Sequence, residues 1–154
     1  MIDGFRAVDT LNRWYVNYDE GRFDVLEQLV TDDADFSSRS DTGKHPLEAS
    51  FRCHVVGRGA ALAWTREHRL KSPYPLRHNI MNAYLAATRA DEIDLEAYMF
   101  VTTIVDGRPY PMSSGLCRVT VRSSGDEYRL AAKHVVLDTL LSVPFRELKR
   151  EVRS

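Results

Sequence analysis

PLRHNIMNAYLAATRADEIDLEAYMFVTTIVDGRPYPMSSGLCRVTVRSSGDEYRLAAKHVVLD, residues 75–138, decides the fold. Four β-rich segments, about 75–88, 93–105, 110–122 and 127–138, are separated by Arg89-Ala90-Asp91-Glu92, Asp106-Gly107 and Ser123-Ser124-Gly125-Asp126. Asp-Gly is a strong hairpin signal, because a type I′ turn needs positive φ at both central residues. The other two connections are short enough for hairpins. The half is therefore an antiparallel meander, and strands longer than the usual five or six residues favour a sheet that curls.

Upstream the periodicity changes. Phe5, Val8, Leu11, Tyr15 and Tyr18 recur at three- and four-residue steps, which predicts an amphipathic helix over about 3–19, broken at Gly21. A short second helix carries Phe23, Leu26, Leu29 and Val30 on one side. Asp32-Asp33 reads as a turn and Ala34–Ser37 as a short strand. Residues 37–57 are polar, with Gly43 and Pro46, and read as a loop. A third helix is expected over about 59–70, ended by Ser72-Pro73. The charged tail PFRELKREVRS reads as a short helix or a frayed end. Helices followed by a long curled sheet make an α+β fold, a single domain over 1–154 in which a cone-like sheet wraps around the N-terminal helices and leaves a cavity between them.

The 21 basic and 22 acidic residues nearly cancel, so no long-range field favours phosphate backbones or anionic lipids, and neither nucleic acid nor membrane is an expected partner. No run approaches the length of a membrane span and the N-terminus has no secretory pattern, so a cytoplasmic location is expected. Cys53 and Cys117 have no CxxC spacing and read as free thiols. His45, His54, His68 and His134 are scattered without ligand spacing, so no metal is expected, and with no P-loop or dinucleotide fingerprint no cofactor is expected either.

Three stretches carry a family resemblance. NYDEGRFDVLEQLVTDDADF at 17–36, PLRHNIMNAYLAA at 75–87 and EYRLAAKHVVLD at 127–138 resemble the opening, the second strand and the last strand of the SnoaL-like, scytalone-dehydratase-like branch of the nuclear transport factor 2-like superfamily. The last strand is also similar to the beta subunits of aromatic-ring-hydroxylating dioxygenases. The resemblance implies a conical α+β fold. It also implies a carboxylate–histidine pair formed by Asp19, at the end of the first helix, and His78, on the first long strand.

A carboxylate bonded to one imidazole nitrogen fixes the tautomer and raises the basicity of the other, which can then take a proton beside a carbonyl. Tyr18 and Tyr15 are candidate donors to a developing enolate oxygen, against the more ordinary reading of each as a core aromatic with a locally bonded hydroxyl. Trp14, Trp64 and Phe51 are candidate walls for a substrate. Asn82 shares the alternation face of His78 unless a bulge intervenes, and there could bond a ligand oxygen or stitch strands together.

On 110–122, where relatives often place an inward acid, this chain offers Met112-Ser113-Ser114-Gly115-Leu116-Cys117-Arg118 and no carboxylate or imidazole. The expected function is a cofactor-free lyase or isomerase of dehydratase, isomerase or cyclase type. Its substrate would be a small, mostly apolar, carbonyl-bearing ring compound such as a polyketide. The alternative is a non-catalytic binder or a dioxygenase-beta-like structural subunit. A strand apolar on both faces, Val101, Thr103 and Val105 on one and Phe100, Thr102 and Ile104 on the other, predicts self-association as a homodimer or homotrimer.

Overall fold

The computed structural model describes residues 2–142, so the tail reading at 144–154 lies outside the described residues. Helix α1 (Gly4–Asp19) begins at Asp3, whose carboxylate accepts the Phe5 N–H at 2.8 Å. It is followed by α2 (Phe23–Gln28), β1 (Val30–Ser40), a single turn α3 (Glu48–Phe51), β2 (Cys53–Val56) and α4 (Arg58–Lys71). The meander β3 (Leu76–Thr88), β4 (Glu92–Val105), β5 (Arg108–Ser124) and β6 (Glu127–Leu137) completes the chain.

The six strands form one unclosed, curved sheet in the order β2-β1-β6-β5-β4-β3. All neighbours are antiparallel except β1 and β6, which run parallel. Helix α1 packs against the inner face of the meander, and α4 against β1 and β2. The inner face follows the two-residue strand period. Ala34, Phe36, Ser38 and Ser40 of β1 point inward, as do Ile93, Leu95, Ala97, Met99, Val101 and Thr103 of β4 and Ala131, Lys133, Val135 and Leu137 of β6.

Three sequence expectations change. The buried stripe of α1 is Ala7, Leu11, Trp14, Tyr15 and Tyr18, whereas Phe5 is 81% exposed, because the sheet covers a face of the helix on which Phe5 does not lie. Asp32-Asp33 is no turn, and Val30 belongs to no helix. Both lie in β1, which bends through a register shift between Val30 and Asp35 against β6. The 37–57 loop holds structure: the rest of β1, α3 and β2. The Glu48 carboxylate accepts the Ser40 N–H at 3.2 Å and ties this segment to the strand it leaves.

Candidate active site

Asp19 is the last residue of α1, where the chain leaves the helix through Gly21 at φ +66°. Both of its carboxylate oxygens are taken by His78, near the start of β3. The ring Nδ1 lies 2.6 Å from Oδ1, and the backbone N–H donates to Oδ2 at 2.8 Å. The two side chains are 7% and 10% exposed, so bulk water does not compete for these bonds. A carboxylate can only accept, so Nδ1 carries the hydrogen, and in the neutral imidazole the lone pair sits on Nε2. The backbone carbonyl of Asp19 is held as well. The buried Arg69 guanidinium donates to it from Nε at 2.9 Å and from Nη2 at 2.8 Å, and to the Pro73 carbonyl at 3.2 Å. One side chain of α4 thus pins the end of α1 to the approach to β3.

Around His78 the rings are close. Tyr15 stacks on it at 5.2 Å between centroids, and Tyr18 meets it edge-on at the same distance. The Tyr15 hydroxyl lies 3.3 Å from Cys117 Sγ and the Tyr18 hydroxyl 2.5 Å from His68 Nδ1. Burial pushes both phenols up, so they stay protonated. Burial, helped by the nearby Lys133 charge, lowers His68 from its ordinary 6.5 to about 4. His68 is therefore neutral at pH 7, and its Nδ1 shares a hydrogen bond with the Tyr18 hydroxyl. A thiol is the weaker partner, which leaves the Tyr15 hydroxyl the freer of the two.

These groups line a cavity of about 580 Å³ between α1, α3, α4 and the inner sheet face, within the usual range for small-molecule sites. Trp14, Trp64 and Phe51 form its walls together with Leu76, Met99 and Val101. Trp64 stacks on His68 at 4.8 Å. Asn82 is elsewhere. Its φ of +57° and the register shift between Met81 and Tyr84 are the bulge that removes it from the His78 face, and its side chain is exposed. On β5 the inward residues are Ser113, Gly115 and Cys117. A second irregularity, between Val101 and Thr102 of β4, lets Met112 line the cavity too. Arg118 points outward and bonds Glu96. His54 pairs with Asp35 on the surface at 3.0 Å, and His134 with Ser37. Among the described residues no cluster of His, Cys, Asp or Glu has the arrangement of a metal site, and no helix is long and apolar enough to cross a membrane.

Among the cavity residues that sequence reasoning missed are His68 and Lys133. His68 stands four residues after Trp64 on a helix, a spacing that puts both on one face. Lys133 alternates with Ala131, Val135 and Leu137 on the apolar face of the last strand. Both signals are present in the sequence.

A helix-lined cavity under a curved, unclosed sheet defines the nuclear transport factor 2-like class. Within it, the model of the SnoaL-like domain matches residues 7–134, and the chain belongs to that family. Solved structures agree on the fold. An NTF2-like protein with a cystatin-like fold from Novosphingobium aromaticivorans is 18% identical, with a TM-score of 0.69 over 91% of this chain and 84% of that one. The beta subunit of the benzoate 1,2-dioxygenase from Burkholderia mallei is 19% identical, with a TM-score of 0.68 over 93% and 97%. ActVI-ORFA from Streptomyces coelicolor is 19% identical, with a TM-score of 0.67 over 88% and 98%. A search of the curated proteins finds no match.

Proposed function

We propose that this protein is a lyase or isomerase that abstracts a proton beside the carbonyl of a small, mostly apolar ring compound of polyketide type, in the cytoplasm. The observation that carries this is the imidazole of His78, bound to Asp19 through Nδ1 and lining a largely apolar cavity. Nε2 takes the α-proton, and the electron pair moves onto the carbonyl oxygen. The Tyr15 hydroxyl turns from Cys117 Sγ to that oxygen as charge develops. Protonated His78 then returns the proton, either to carbon, giving an isomer, or to a departing hydroxide, giving water and an alkene. Trp14, Trp64 and Phe51 hold the ring. A positioned base contributes about 10²–10⁴-fold.

The step can be tested without knowing the natural substrate. Exchange of the α-protons of 2-tetralone for solvent deuterium, followed by NMR, should be catalysed by the wild type and lost in His78→Gln at unchanged Tm. Equal exchange by the two proteins would rule the mechanism out.

A second reading, a non-catalytic subunit, is favoured by the likeness to the benzoate dioxygenase beta subunit and by apolar side chains on the outer sheet face. Met81 and Tyr98, cross-strand partners, are 44% and 55% exposed, and Ile104 is 46% exposed. Under either reading this face meets a second protomer in a homodimer or homotrimer. Light scattering that finds a monomer at micromolar concentration would exclude that assembly.

A further inference from the structure

Lys133 lies in the middle of β6, beside Phe36 of β1 in the parallel pair, and its side chain points into the cavity. It is 6% exposed. Its ammonium sits 4.9 Å from the Phe36 ring centroid, 5.8 Å from Trp64 and 5.9 Å from Trp14. Among the described residues no hydrogen bond or ion pair reaches Nζ. Burial lowers Lys133 from its ordinary value, and the thiols of Cys53 and Cys117, which act on it electrostatically, are themselves pushed up by burial and stay protonated, so they supply no counter-charge. The lone carboxylate among the described lining residues, Glu67, is exposed at the rim and pairs with Lys71. A buried cation without a partner is costly, and ring faces offset only part of that cost.

Other polar groups on the same walls are also unused. The Thr65 hydroxyl of α4 is buried in the cavity wall with no hydrogen-bond partner. Ser38, two residues along β1 from Phe36 and on the same face, is 6% exposed and lines the cavity. Trp64, which contacts Lys133, is the neighbour of Thr65 on α4. The ionisable group on this wall is the base Lys133, and the polar groups beside it are hydroxyls.

We propose that Lys133 is an oxyanion-recognition group, and that the ligand of this cavity carries a carboxylate or phenolate on its ring system, seated against Lys133 and the Thr65 and Ser38 hydroxyls. Contacts run from Lys133 through Trp64, His68 and Tyr18 to His78. The anionic end would thus be held on the β1–β6 side while the reacting carbon faces the α1–β3 side. The inference rests on the cavity being the ligand site, as in the function proposed above, but not on proton transfer by His78.

The test is calorimetric binding to the intact protein, using 2-naphthoate and 2-naphthol as acidic probes and 2-naphthamide as the neutral isostere of the first. The wild type should bind 2-naphthoate, or 2-naphthol at neutral pH with release of its proton, about tenfold or more tightly than 2-naphthamide. Which acid gains marks carboxylate or phenolate as the group recognised. Lys133→Met should erase the preference while binding 2-naphthamide as before, which also reports an intact cavity. Equal affinity of the wild type for the charged and neutral probes, absence of binding by both acids at millimolar concentration, or an unchanged preference in Lys133→Met would each overturn the proposal. Because no turnover is measured, these outcomes are separate from the deuterium-exchange result.

Discussion

Asp19 holds His78 at two points: one carboxylate oxygen takes the ring Nδ1–H and the other takes the backbone N–H of the same residue. The double contact fixes the ring and the strand start as a unit. It joins a helix end to a strand 59 residues away. The arrangement needs an acceptor on both oxygens, which a carboxylate provides and an amide does not.

Asp19→Asn should therefore fail in two measurable ways. The amide presents a donor where an acceptor is required, so one of the two buried bonds is lost. Urea unfolding should show a loss of about 1–3 kcal/mol. Deuterium exchange into 2-tetralone should fall as well, by about 10²-fold or more, because the imidazole loses its fixed tautomer. A variant with wild-type stability and wild-type exchange would mean that the pair has neither role.

His68 makes the fold acid-sensitive. Its ordinary value of 6.5 is lowered to about 4 by burial in the cavity wall, with Lys133 adding to the effect. Between those pH values the unfolded chain binds a proton that the folded chain refuses. Its contribution to stability is thus fully present above 6.5, is lost as pH falls toward 4, and changes no further below that. The size is roughly 2–3 kcal/mol once its partial exposure is allowed for. Urea midpoints of wild type and His68→Gln, compared from pH 7 to pH 4, should converge as the pH drops. A constant difference would show that His68 titrates as an ordinary surface imidazole.

Gly115 sets how closely β5 and β6 approach beside the cavity. A Cβ there would lie 2.4 Å from the Val136 carbonyl oxygen and 2.8 Å from the Leu137 Cα. Both are backbone atoms, which cannot rotate away. Gly115→Ala should destabilise by about 1–3 kcal/mol, the usual cost of overpacking, or more if the strands separate. Thermal unfolding reads it directly, and an unchanged Tm would show that the sheet can give at this point. Gly107→Ala is a poor comparison, since its φ of +73° would strain an alanine for a different reason.

Much of this molecule was legible in the sequence because its signals are local. Alternation and the Asp106-Gly107 turn specify the meander, and a 3.6-residue apolar stripe specifies α1. Because α1 ends at Asp19 and β3 begins beside His78, the pair could be anticipated from the positions of two element ends and a family pattern. What the sequence left open depends on long-range pairing. The bulge at Asn82 arises from the register between β3 and β4, and one inserted residue turns a side chain from cavity to solvent. The 37–57 segment gains its strands only by pairing with β6 and with itself. Lys133 and His68 look ordinary in their own windows, and become a buried unpartnered cation and a neutral imidazole only when α4 closes over β1 and β6. Local periodicity fixes which face of an element is apolar. Which polar group is stranded on that face is decided by the elements that cover it, since desolvation and charge pairing are properties of the assembled cavity.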